Sequence, residues 1–319
     1  MSLITDRVKA IRYEHPEKIP ISIGMLPAIW KKYGAELNKI RADFPDLFGE
    51  VNDMQYICTD MPASYRSGSF TDAWGCVWSN VIEGHESIVT GHPLPNREDV
   101  NTLKAPTVDA GLPHGFMFLR LFDLRGFEEM MIDFAEEPKE LQLLIDIVRD
   151  YNINQLEKIC QRSKDEILWL GDDNGHQTSL PISPAKWRKY IKPAYKAIFD
   201  VAKKHNRMVY FHTDGCIWQV MPDMYEAGAD IINPQFRANG IDNLVRVCKG
   251  KIPVSLDLDR QLFPFATPEQ IKQHILDCAK ALYMPEGGLW LGAEVDEGVP
   301  LENVRAICEG LTLASELKF

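Results

Sequence analysis

The sequence predicts an α/β fold, a (β/α)8 barrel with an elaborated N-terminal region, and three observations carry that reading. Four short apolar runs each end in acids or a histidine. Residues 167–171 lead into Asp172, Asp173 and His176, residues 208–211 into His212 and Asp214, residues 252–256 into Asp257 and Asp259, and residues 288–292 into Glu294 and Asp296. Buried parallel strands deliver polar side chains to a rim in this way, and α/β barrels do their chemistry at the carboxyl ends of such strands. From residue 115 onward, apolar runs also alternate with helical periodicities at barrel-like spacing. Finally, 319 residues with 45% hydrophobic content suffice for one large core, so residues 1–319 are read as a single domain.

The elements follow in order. Residues 18–23, Lys-Ile-Pro-Ile-Ser-Ile, predict the first strand, preceded by a short helix. Residues 26–110 hold few periodic segments and many Gly, Pro and aromatic residues, and are expected to elaborate the mouth of the barrel. Residues 116–122 read as a strand and 138–160 as a long helix, in which Leu141, Leu144, Ile145, Val148, Leu156 and Ile159 keep helical spacing. After the 167–171 strand, Ser183-Pro184 has the cap-plus-first-turn signature of a helix running to about His205. The 208–212 strand precedes a helix over 217–226, stopped by Gly228. A strand at 230–234, a helix near 241–248 and a strand at 252–256 come next. Thr267-Pro268-Glu269 then caps a helix with Ile271, Ile275, Ala279 and Leu282 on one face, and the 288–292 strand and a helix from Pro300 complete the array.

Composition narrows the class. A formal net charge of −11 argues against nonspecific nucleic-acid binding. The densest basic stretch, Lys203-Lys204-His205 with Arg207, sits at a predicted helix end, where cations complement the dipole. The seven cysteines are odd in number and show no CxxC pairing, as expected of reduced thiols in the cytosol. Residues 1–6 lack a signal-peptide layout, and no apolar run approaches the roughly 20 residues that span a bilayer. The expectation is a soluble cytoplasmic protein acting on a small molecule, without membrane or nucleic-acid partners. Neither a glycine-rich phosphate loop nor a GxSxG elbow is present.

Several side chains are candidates for chemistry. His212 and Asp214 can point the same way from a strand end, because strand side chains repeat every second residue. Metal ligation and acid–base work both fit them, as does a histidine hydrogen-bonded within the barrel top. Asp172 and Asp173 adjoin, so their carboxylates diverge and one at most faces the axis; a crowded acid has a raised pKa unless a cation neutralises it. Asp257 with Asp259, and Glu294 with Asp296, share a parity, and each pair can present two carboxylates or line a solvated loop. This oxygen-rich set with one nitrogen donor suits a divalent cation or a cationic substrate. His176 is a further candidate to touch substrate. Trp74 and Trp78, with Trp30, Tyr33, Tyr56 and Tyr65, can wall an aromatic ligand or pack the N-terminal region.

The strings Gly171-Asp-Asp-Asn-Gly-His-Gln-Thr-Ser-Leu-Pro-Ile-Ser-Pro184, Trp187-Arg-Lys-Tyr-Ile-Lys-Pro193 and Phe211-His-Thr-Asp-Gly215 resemble the uroporphyrinogen decarboxylase superfamily. Asp72-Ala-Trp-Gly75, residues 226–230, Asn233-Pro-Gln235 and residues 300–303 fit it too, so the likeness covers nearly the whole chain. It implies a (β/α)8 barrel with its cleft at the carboxyl ends, and it adds Gln235 as a substrate contact. True decarboxylases of the family carry an arginine-rich N-terminal fingerprint, whereas residues 20–30 here hold no arginine, and Ala293 stands where they place a histidine. An acidic mouth also disfavours a many-carboxylate porphyrinogen. The chain is closer in character to the cobalamin-dependent methyltransferase branch. There a His-x-Cys pair and a late cysteine hold zinc; here His212 matches the histidine, Asp214 replaces the first cysteine, and Ala293 or Glu294 stands near the second. The resemblance thus implies zinc on His212, Asp214 and Glu294, with His212, Asp172, Asp173, Asp257 and Asp259 available for catalysis. The expected reaction is O-demethylation of a small methoxylated, aromatic substrate, with the methyl passing to cobalamin on a corrinoid partner protein. A decarboxylase or lyase of a small acid, or a non-catalytic ligand-binding barrel, are the alternatives.

Overall fold

The computed structural model of the protein describes residues 3–49, 61–109 and 111–317. Tyr56, named above, and Cys58, one of the seven cysteines, lie outside them. The described strands are β1 (Ile21–Met25), β2 (Gly68–Thr71), β3 (Val77–Asn80), β4 (Ile88–Gly91), β5 (Ile167–Gly171), β6 (Met208–Thr213), β7 (Ile231–Pro234), β8 (Val254–Asp257) and β9 (Leu289–Val295). By internal packing the chain divides into two compact units, one made of residues 1–69, 79–88 and 235–319, the other of residues 70–78 and 89–234. Each carries three parallel strands with helices between them, which establishes an α/β fold compatible with a barrel of this type.

In the first unit, β9 pairs in parallel with both β1 and β8, with Ile23 opposite Ala293 and Asp257 opposite Gly292. The buried residues of β8 and β9 are almost continuous, as expected of strands covered on both faces. The helices Pro268–Leu282 and Leu301–Glu316 pack against each other. They come close because Gly310 has no side chain: a Cβ there would stand 2.7 Å from the Ile275 Cδ1. Thr267 caps the first of these helices by accepting the Gln270 amide, in a capping box with the Gln270 side chain.

In the second unit, β6 pairs in parallel with β5 and β7, setting His212 opposite Gly171 on one side and Asn233 on the other. The opposite face of β6 buries Phe211 in an aromatic core with Tyr195, Phe199 and Phe116, at centroid distances of 5.0, 5.3 and 6.5 Å. Tyr195 and Phe199 come from the helix Lys192–Lys204, which packs on the long helix Lys139–Arg162. Ser183 caps the predicted helix start by accepting the Lys186 amide, and Trp187–Ile191 form a π turn before the helix resumes.

Three expectations are corrected. Residues 116–122 are not a strand: Phe118–Arg125 is a helix whose buried residues Phe118, Leu121, Leu124 and Arg125 follow a helical period. Nor is the region 26–110 irregular throughout. It holds the helices Pro27–Tyr33, Ala35–Asp43 and Pro45–Phe48, and a three-stranded sheet in the order β2-β3-β4. The helix expected from residue 217 begins at Met221, with Pro222 in its first turn. Among the described residues, six cysteines are free thiols, and no helix is long and apolar enough to cross a membrane.

Candidate metal centre

The centre assembles at the carboxyl ends of β5 and β6. His212 is the fifth residue of β6, on the face opposite Phe211. Its ring is fixed from both sides. Nδ1 donates to the Asn233 Oδ1 at 2.6 Å from β7, while Nε2 lies 3.2 Å from the Asp214 Oδ1. Asp173 follows β5; its Oδ1 accepts the backbone N–H of Asp214 at 3.0 Å, and its Oδ2 stands 3.3 Å from the His114 Nε2. The rings of His114 and His212 lie 5.6 Å apart by centroid. His114, Asp173 and His212 each offer one ligand atom, all within 4.8 Å of one another. The side chains are partly open to solvent, at 39%, 27% and 28% exposure, so a small molecule can reach them.

His114 has room because residue 171 is glycine. A Cβ at Gly171 would meet the His114 Nδ1 at 2.7 Å and the His212 Cδ2 at 3.6 Å. The Gly115 amide also donates to the Gly171 carbonyl at 2.9 Å, tying the loop to the strand end. A second close approach occurs at Gly175 and Gly215, where Gly215 has φ +84° and a Cβ would fall 2.1 Å from the Gly175 backbone. Only glycine permits that contact.

Asp172 turns the other way. It is fully buried, and its carboxylate accepts the backbone amides of Met117, Phe118 and Leu119 at 3.2, 2.5 and 3.0 Å, and the Tyr195 hydroxyl at 2.6 Å. These amides are the otherwise unpaired donors of the helix Phe118–Arg125. Burial pushes the Asp172 pKa up to about 6 against the pull of those donors. Asn174 completes the anchor: its side-chain nitrogen donates to the Asp172 carbonyl at 2.7 Å, and its oxygen accepts from the Trp187 Nε1 at 2.8 Å. Asp172 therefore holds the loop that carries His114, a role different from the catalytic one expected.

The charged groups of the centre act on one another. Burial disfavours the imidazolium of His212, but Asp214, Asp173 and Asn233 outweigh it and raise the pKa to about 9. Burial likewise opposes a charged His114, and Asp173 raises its pKa. Partial burial opposes the charged form of Asp173 too, yet His114, the Asp214 amide and His212 hold its carboxyl below the usual range.

Asp257, Asp259, Glu294 and Gln235 belong to the first unit and are matched with arginines or backbone. Arg237 grips Asp259 through two hydrogen bonds of 2.8 and 2.7 Å, and Arg260 reaches Asp257 at 3.3 Å and also pairs with Glu294. The Gln235 backbone bridges to Asp257, and its carbonyl accepts from Asn239. Of the expected ligands His212, Asp214 and Glu294, Asp214 stands beside His212 and Glu294 is paired with Arg260, while the cluster whose ligand atoms lie within 4.8 Å of one another is His114, Asp173 and His212. Trp74 packs edge-on against Tyr151 at 4.9 Å, and Trp78 stacks on Phe70 at 6.1 Å while donating to Asp72. Their rings are used in packing. His176 is exposed and lies against Phe127 at 5.6 Å.

The family model described as Uroporphyrinogen decarboxylase (URO-D) matches residues 122–311, well over half of the chain. The chain belongs to the uroporphyrinogen decarboxylase family. Every residue of the centre except His114 falls inside that span. No curated protein matches the chain. Among solved structures, it is similar to a type I 3-dehydroquinate dehydratase from Clostridium difficile with covalently modified comenic acid. That likeness has 12% identity over 61% of this chain and 79% of that one, with a TM-score of 0.30.

Proposed function

We propose that this member of the uroporphyrinogen decarboxylase family is a metal-dependent methyltransferase that takes the methyl group of a small methoxylated aromatic and passes it to cob(I)alamin on a partner protein. One observation carries the reading: two imidazoles and one carboxylate offer ligand atoms within 4.8 Å at a solvent-reachable strand end. Two histidines with one carboxylate form a donor set used by catalytic zinc, which keeps a position open for substrate. The His212 Nδ1–H is already held by Asn233, so Nε2, which lies 3.2 Å from the Asp214 Oδ1, is the nitrogen a metal would take. Bound there, the metal would act as a Lewis acid on the ether oxygen and stabilise the phenolate that leaves when the methyl is taken. With nitrogen and oxygen donors and no thiolate, the ion is harder than in the thiol-directed enzymes of the family, which favours an ether over a thiol.

The chain's own residues do the rest. Asn233 and the Asp214 amide orient one imidazole and the carboxylate, and Asp172 fixes the loop that bears the other imidazole. The test is elemental analysis of the purified protein followed by incubation with cob(I)alamin and methoxylated aromatics, reading methylcobalamin by absorbance. About one zinc per chain and methylcobalamin formation support the proposal; no metal and no methyl transfer with any methoxylated compound would sink it.

A second reading has its own support. With a pKa of about 9, His212 of the metal-free protein is an imidazolium at neutral pH, able to protonate a carbanion left by decarboxylation of a small acid. Carbon dioxide release that persists in the presence of a chelator would select it.

A further inference from the structure

The buried stripe of the helix Lys139–Arg162 is aliphatic at Leu141, Leu144, Ile145, Val148 and Leu156, yet it contains two amides. Asn152 and Gln155 are each 2% exposed. Three residues apart, they lie on one face of the helix. A buried amide costs free energy unless its hydrogen bonds are met, and Asn is a poor helix former besides. Both direct bonds at one short segment that belongs to no helix or strand. The Asn152 Nδ2 donates to the Phe116 carbonyl at 2.7 Å, and the Gln155 Oε1 accepts the Gly111 amide at 3.1 Å. His114 stands between those two points.

We infer that Asn152 and Gln155 are positioning residues for His114, holding its imidazole where it meets Asp173 and His212. The inference rests on the proposed metal reading for its purpose and names what places one of the ligands. Strand ends place Asp173 and His212, whereas His114 has no strand of its own. Gly111 and Gly115 flank it with φ of +68° and +76°, a left-handed conformation that glycine enters without strain. Glycine at both points also gives the backbone its greatest freedom, so local preference alone does not fix the ring between them. The bond from the Gly115 amide to the Gly171 carbonyl ties the segment to β5 at one point. Gln155 then sets how the chain enters, and Asn152 how it leaves. The two positions need opposite chemistry. Residue 155 must offer an acceptor, because its partner is an N–H, and residue 152 a donor, because its partner is a carbonyl. A carboxylate can therefore stand in at 155, with Lys158 three residues on to offset its charge.

Three variants of the full-length protein test this: Gln155→Leu, Gln155→Glu and Asn152→Leu. Amide hydrogen exchange of the metal-free protein reads the segment itself. A nuclear Overhauser contact between the His114 and His212 rings, 5.6 Å apart by centroid, reads the geometry. Zinc titration against a competing chelator reads the consequence. In Gln155→Leu, exchange over residues 111–117 should quicken by about tenfold or more and the ring contact should fade. Zinc should bind about ten- to a hundredfold more weakly, as when a ligand loses its support. Asn152→Leu should behave in the same way, and Gln155→Glu should keep the wild-type values. Faster exchange spread over the whole chain with a lower urea midpoint would show a structural role alone and overturn the inference. So would an intact ring contact in the leucine variants, or Gln155→Glu faring no better than Gln155→Leu. Should Asn152→Leu fail to fold, the two Gln155 variants decide. If the wild type binds no zinc, the methyl-transfer reading falls, while exchange and the ring contact still decide whether the two amides place His114.

Discussion

The strand ends of the two units use the same sequence pattern to opposite effect. After β5 and β6 the acids meet histidines: Asp173 faces His114, and Asp214 faces His212. After β8 and β9 they meet arginines: Asp259 is gripped by Arg237, and Asp257 and Glu294 by Arg260. A guanidinium never gives up its proton in a protein, so it neutralises an acid permanently. An imidazolium can lose its proton and become a ligand. An acidic strand end can therefore offer a metal site or is held as a fixed ion pair, according to the base it meets.

The largest expected effect falls on the histidine side. His212→Ala should bring bound metal to near zero and methyl transfer down by about a thousandfold or more, the loss of several kcal/mol of transition-state stabilisation. Glu294→Gln, measured by the same elemental analysis, should leave metal content at the wild-type level. A parallel loss in both variants would erase the contrast between the two strand ends.

Next is stability. Asp172→Ala leaves three helix amides and the Tyr195 hydroxyl buried without their acceptor. It should cost about 3–5 kcal/mol in urea unfolding. Asp259→Asn, whose partner Arg237 is half exposed, should cost only about 1 kcal/mol. A destabilisation by Asp172→Ala no larger than that of Asp259→Asn would show that the anchor described here does not hold the helix.

Removing the Asn233 amide with Asn233→Ala frees the His212 ring to turn and should weaken zinc by about ten- to a hundredfold. Gly171→Ala should weaken it to a similar degree by pushing the His114 ring aside, with little change in unfolding midpoint because His114 sits on a partly exposed loop. Zinc titration with a competing chelator reads both, and wild-type affinity in either variant would remove that residue from the design of the site.

A contrast of similar size is in pH. Zinc must displace the proton that His212 holds up to about pH 9, so apparent affinity should rise by about tenfold per unit from pH 6 to 8. The sign reverses for the metal-free protein. The pair of His212 with Asp214 stabilises the fold fully below the ordinary histidine pKa and ceases to do so as pH rises through about 9. A flat zinc affinity between pH 6 and 8 would mean that His212 is not a ligand.

The sequence by itself determined most of the scaffold. Apolar runs placed β5 through β9 to within a few residues, since a strand covered on both faces is apolar nearly throughout. Ser183 and Thr267 fixed two helix starts, because their side chains satisfy amides that nothing else nearby can reach. The two-residue spacing of His212 and Asp214 placed both on one side of β6, and the adjacency of Asp172 and Asp173 required them to diverge. Tertiary structure alone decided which of those two acids faces the centre, since the amides that capture Asp172 come from a distant helix. The same capture makes residues 118–125 a helix where their apolar run reads as a strand. His114 carried no signal beyond a histidine before a glycine, as its partners are brought to it by the fold. The arginines opposite Asp257, Asp259 and Glu294 were equally hidden, because charge pairing across strand ends depends on distance in space and leaves no period in the chain.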